Sequence, residues 1–157
     1  MVGSSGFPIS RLGEMKVDFP KMRPVRSHTF GGKSQMIYLE IDDKRSRTKS
    51  GVFKISIHFN GSKDTVPTAY VINGGEVSGS SIIHRGGNKL HSYDHSMRII
   101  PGTNIQAWWI CHGNFDVPYR LQGEDPVKRL LSFINHISNL LNAWFHWWTE
   151  KEPIQDE

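Results

Sequence analysis

A single cysteine, Cys111, is all the thiol chemistry in this sequence of 157 residues. Without a second cysteine no disulfide can staple the chain internally, which excludes a small secreted scaffold of that type. A lone thiol suits a reducing compartment, so a cytoplasmic setting is expected. Apolar runs are short, and none approaches the roughly 18 residues that a membrane-spanning helix needs. The opening stretch MVGSSGFPIS lacks the cationic and apolar regions of a secretory leader, so none is expected. Also missing are a P-loop, a GxSxG nucleophile turn, a His-Glu-x-x-His helix, a pair of conspicuous carboxylates and any internal repeat. The Gly-Gly pairs at 31–32, 74–75 and 86–87 lack the strand-glycine-helix setting of a nucleotide site.

What is present fits one globular domain of ordinary size: 37% hydrophobic residues, 22% charged and a formal charge of +4. Residues 1–34 are punctuated by Gly, Ser and Pro and show no period. They read as an irregular arm with one short extended piece around Met15–Phe19. Strand patterns follow. Ile37, Leu39 and Ile41 share one face of a first run, 35–41. In the second, 51–60, Phe53, Ile55, Ile57 and Phe59 alternate with Lys54, Ser56, His58 and Asn60. Period two predicts a half-buried antiparallel strand, with the polar set facing solvent. A third run covers 68–72, and IQAWWIC at 105–111 reads as a fourth strand or a buried turn. Between them, residues 73–104 are rich in Gly, Ser and His. So long a loop is expected to hide a short strand, at 81–85 or 97–100, or to act as a flap.

A long amphipathic helix is predicted from Pro126 to about Trp148. Asp125 can cap the free N–H groups of its first turn, and Pro126 suits the first helical position. Val127, Leu130, Leu131, Ile134, Ile137, Leu141, Trp144 and Trp148 form one stripe at three- and four-residue steps. The expected fold class is α+β: an antiparallel meander of about four strands packed against one long C-terminal helix. Residues 1–34 form the arm, 35–148 the domain and 149–157 an acidic tail.

Four groups of residues are candidates for chemistry or binding. Cys111 stands where an apolar run opens into the polar His112-Gly113-Asn114. A buried thiol is inert, whereas one exposed beside an imidazole ionises more readily, although adjacent side chains on a strand point to opposite faces. His84, His91, His95 and His112, with Cys111, are of the types that ligate zinc, but no metal-site spacing is present, so no cofactor is expected and a small metal-binding protein is a lesser alternative. Lys44, Arg45, Arg47 and Lys49 make a basic loop that could face phosphates. No aromatics are interleaved with it, so a solvated loop is the plainer reading and nucleic acid a lesser alternative. Trp147 falls off the helix stripe and could anchor a partner.

The order of elements resembles a known family. After the arm come a meander, a proline ahead of the third strand in Val66-Pro67-Thr68-Ala69-Tyr70-Val71-Ile72, a long flap, a cysteine, a loop with Pro118 and then the helix DPVKRLLSFINHISNLL. Over roughly residues 35–145 this is similar to the ubiquitin-conjugating (UBC) fold and its RWD relatives. Divergent bacterial branches carry a Trp-x-x-His block, which Trp109-Ile110-Cys111-His112 matches.

The resemblance implies a transferase. Cys111 would accept a ubiquitin-like protein as a thioester from its activating enzyme and pass it to an amine, with His112 nearby and Asn114, or Asn104 as runner-up, as oxyanion donor. Two departures stand out. The family's His-Pro-Asn triplet is absent, and the stretch from third strand to Cys111 is longer than usual. At the usual distance stands Leu90-His91. Either the flap carries an insertion and Cys111 is the nucleophile, or the site is an inactive one at His91, near His84. In the second case the domain is a scaffold that binds protein partners through the flap, the basic loop or Trp147.

Overall fold

The computed structural model describes residues 6–44, 46, 48–59, 61–73, 97–110, 112 and 114–142. The first elements are short: β1 (Phe7–Pro8), a 3-10 helix over Ile9–Glu14, β2 (Arg23–Pro24), a 3-10 turn at Arg26–His28, β3 (Thr29–Phe30) and β4 (Lys33–Ser34). Longer strands follow: β5 (Met36–Asp42), β6 (Val52–His58), β7 (Thr68–Val71), β8 (Met97–Ile99) and β9 (Gln106–Ile110). Helices α1 (Asp116–Arg120) and α2 (Pro126–Leu141) come last among the described elements.

These strands make two sheets, a small one in the order β1-β4-β3 and a main one in the order β2-β5-β6-β7-β9-β8. Every recorded pairing is antiparallel. The α+β class with an antiparallel sheet and a C-terminal helix is therefore as expected, but the main sheet has six strands where about four were predicted. One addition, β2, comes from the stretch read as an irregular arm and pairs Arg23 with Tyr38. The other, β8, is the short strand expected within the flap. It precedes β9 in sequence yet lies outside it, at the edge, because β9 pairs directly with β7 through Ala69 and Ile110. The flap's other possible strand, at 81–85, lies outside the described residues.

Strand alternation sets which side chains meet the helix. Ile37, Leu39 and Ile41 of β5, Phe53, Ile55 and Ile57 of β6, and Trp108 and Ile110 of β9 fall on one face and are buried. Against them α2 buries Val127, Leu130, Phe133, Ile134, Ile137 and Leu141. Each such side chain is worth about 1.5–3 kcal/mol once removed from water, so this contact carries much of the stability. The start of α2 is as expected: the Asp125 carboxylate accepts from the Val127 N–H at 3.1 Å, with Pro126 in the first turn. The helix is described as far as Leu141. Its expected continuation to Trp148 lies outside the described residues.

The N-terminal segment is largely irregular but is part of the core. Phe7, Leu12, Met15 and Met22 are all buried in the cluster beneath α2. Met15–Phe19 forms turns, with the Phe19 N–H donating to the Met15 carbonyl at 2.9 Å, and is not extended. Its hairpin from β3 to β4 turns on Gly31 and Gly32, at φ 61° and 80°. Two successive left-handed residues match the twist of paired strands, and glycine adopts them without strain. No helix of the described residues is long and apolar enough to cross a membrane.

Candidate functional site

The corner where the sheet gives way to the helices is held by two aromatic contacts and one hydrogen bond. Strand β9 ends at Ile110, and the next residue described is the half-buried His112. Its backbone carbonyl accepts from His136 Nε2 of α2 at 2.8 Å. This bond places the proton of His136 on Nε2. Phe115 then stacks on the His136 ring, with centroids 4.3 Å apart and planes within 11°. The His112 ring sits edge-on to Phe133, 5.8 Å away, so packing against the helix fixes its orientation. Asn114 is exposed. An exposed amide at a strand end can donate to an anion brought there. The corner therefore holds its backbone firmly on α2 while leaving one amide open to solvent.

Of the residues singled out from sequence, the structure brings His112 and Asn114 to this corner. Cys111 itself lies outside the described residues, as do His84, His91, Arg45, Arg47 and Trp147. Lys44 is exposed, and its backbone N–H donates to Asn142 Oδ1 at 2.7 Å, tying the basic loop to the end of α2. Asn104 does not join the corner. It lines a cavity on the opposite face of the sheet. Among the described residues, no group of three or more His, Cys, Asp or Glu is placed to hold a metal ion.

That opposite face is where sequence reasoning erred. Alternation assigned Ser56 and His58 to solvent, yet both are buried, at 4% and 7% exposure. Two segments cover them: the turn Val25–His28, and the loop Ile100–Ile105 that joins β8 to β9. Their rims meet at His28 and Gly102. A Cβ on Gly102, whose φ is +80°, would stand 2.8 Å from His28 Nε2, so only glycine allows this approach. The His28 and His58 rings lie 6.5 Å apart, nearly perpendicular. Burial chiefly, then the charge of His28, holds the His58 pKa below its ordinary value. Among the described residues, neither Ser56 Oγ nor His58 Nδ1 has a hydrogen-bond partner. Nearby, the Tyr38 hydroxyl donates to Glu40 Oε2 at 2.7 Å; burial and that bond push its pKa up to about 12.

No family model matches the sequence, and no curated protein and no solved structure matches it.

One more group escaped the sequence reading. Arg129 of α2 is buried, and its Nη1 donates both to the Lys63 carbonyl at 3.0 Å and to Asp64 Oδ1 at 2.8 Å. Its guanidinium lies 5.5 Å from the Tyr119 ring, and Tyr119 is raised to about 12, chiefly by burial. This set clamps the β6–β7 loop to the helix. In the sequence it is one of two adjacent cations, Lys128 and Arg129, beside the apolar stripe of α2, and nothing there marks it as the buried one.

Proposed function

We propose that the chain is a divergent relative of the UBC/RWD superfamily, and that Cys111 carries a ubiquitin-like protein as a thioester. The observation that supports this reading is the corner. Strand β9 runs straight into Cys111 in sequence, and the next residue, His112, is anchored to the helix that covers the sheet. A nucleophile that must meet two large protein partners in turn gains from a neighbour anchored in this way. The Cys111 thiolate attacks the acyl carbon held by the activating enzyme, and that enzyme's thiolate leaves. A substrate amine then displaces Cys111. Asn114, exposed three positions on, supplies the amide that steadies the oxyanion.

The test is incubation of the full chain with ATP, a ubiquitin-like modifier and its activating enzyme. A reductant-sensitive adduct is expected, and it should vanish in Cys111→Ala. An adduct that survives that substitution, or none at all, rejects the thioester.

One observation favours a second reading, an inactive scaffold of the same fold. The half-buried His112 ring packs edge-on against Phe133, a structural contact. In that case a protein partner would bind wild type and Cys111→Ala equally.

A further inference from the structure

The cavity on the sheet face away from α2 has no part in the corner's chemistry, and its lining has the character of a ligand site. We propose that it binds a small aromatic carboxylate, with the ring inside and the charged group on Arg23. The hollow has a cause in the register. Tyr38, Ser56 and Tyr70 are successive cross-strand neighbours on β5, β6 and β7, so one small side chain stands between two large ones. The space above Ser56 is not filled by the loops that roof it, and a cavity of about 450 Å³ remains. Pockets of this size, mostly apolar with a few placed polar groups, are those that hold small molecules.

Three features choose the ligand. The walls are Val25, Met36, Ile72, Ile100 and Ile105, which suit a flat apolar body. Ser56 lines the same cavity, 4% exposed, with a hydroxyl that has no partner among the described residues. Buried polar groups are nearly always paired, so an orphan hydroxyl in the lining of a hollow points to a hydrogen bond supplied from outside the chain once a ligand presses on that floor. Arg23, at the mouth, rests its guanidinium 4.2 Å over the Tyr38 ring and forms no ion pair with a carboxylate among the described residues. Glu40, the nearest acid along β5, accepts from Tyr38 instead. A guanidinium held by stacking keeps its hydrogen-bond donors free for a planar carboxylate.

Indole-3-acetate is a suitable probe, followed through backbone amide shifts of the full chain. Titration should move the amides of Ser56, Gly102 and Thr103 with a Kd on the order of 1 mM or tighter. Arg23→Gln alters an exposed side chain and should weaken binding about tenfold, the usual effect of losing one charge-assisted hydrogen bond. Indole-3-acetamide should bind wild type as weakly as the acid binds Arg23→Gln. Ser56→Val should fill the floor and abolish binding. The proposal fails if those amides stay still throughout the titration. It also fails if acid and amide bind alike, or if Arg23→Gln binds the acid as wild type does.

Discussion

His58 is held neutral by its surroundings, and that has a consequence for stability. Its pKa is lowered in the fold, by burial first and by His28 second. In the unfolded chain it returns to about 6.5. Below that pH the unfolded state therefore binds more protons than the folded state, and stability falls with pH. The contribution is intact above about pH 6.5 and is lost as pH drops through that value towards the lower folded pKa. Urea midpoints between about pH 7.5 and pH 5 should show this fall, and His58→Gln should make it shallower. Equal slopes in the two proteins would assign the acid sensitivity to other groups. This buried imidazole could not be foreseen from the residue pattern. On β6 the alternation of Lys54, Ser56 and His58 with apolar residues correctly separates two faces, but it does not say that the polar face will be roofed. The roof comes from Val25–His28 and Ile100–Ile105, segments without any period.

At the scale of elements, α2 was the most legible piece of the chain. A capping aspartate, a proline in the first turn and a regular apolar stripe each carry their own physical signal, and all three agree. Asp125 is used twice: its Oδ1 accepts from the Val127 N–H and also meets Arg11 Nη2 at 3.0 Å, joining the N-terminal segment to the helix. Asp125→Ala should cost about 1 kcal/mol, nearly all from the lost cap, because the Arg11 pair is partly exposed and such pairs contribute little. Equilibrium urea denaturation measures it. Arg11→Ala serves as the control and should leave the midpoint nearly unchanged. Strands β5, β6, β7 and β9 were legible within a residue or two of their ends. Strand β2 was not, since two residues ending in a proline leave no pattern. Nor was the placing of β8 at the edge, which depends on which strand β9 chooses as partner.

For the whole molecule, the N-terminal segment is the main revision. Gly, Ser and Pro made it read as an arm, yet four of its apolar residues, Phe7, Leu12, Met15 and Met22, are buried. At about 1.5–3 kcal/mol each, their loss would consume a large part of the roughly 5–15 kcal/mol that holds a typical domain together. A chain lacking residues 1–34 should lose its dispersed amide spectrum and its cooperative unfolding transition. If that truncated chain keeps both, the segment is an appendage after all. The candidate corner divides along the same line. Its sequence position and the supporting helix could be read in advance, whereas the clasp between His136 and His112 required two segments to be seen together.

Asn142 ends the described part of α2 by donating to the Asp42 carbonyl and accepting from the Lys44 N–H, bonds that span 100 and 98 positions of the chain. Synthesis runs in the other direction. By the time the ribosome reaches this asparagine, the strands it fastens have already emerged, with their apolar face still open to water. The meander must wait for its cover, and a waiting apolar sheet is the kind of intermediate that chaperones hold and that aggregates when they do not.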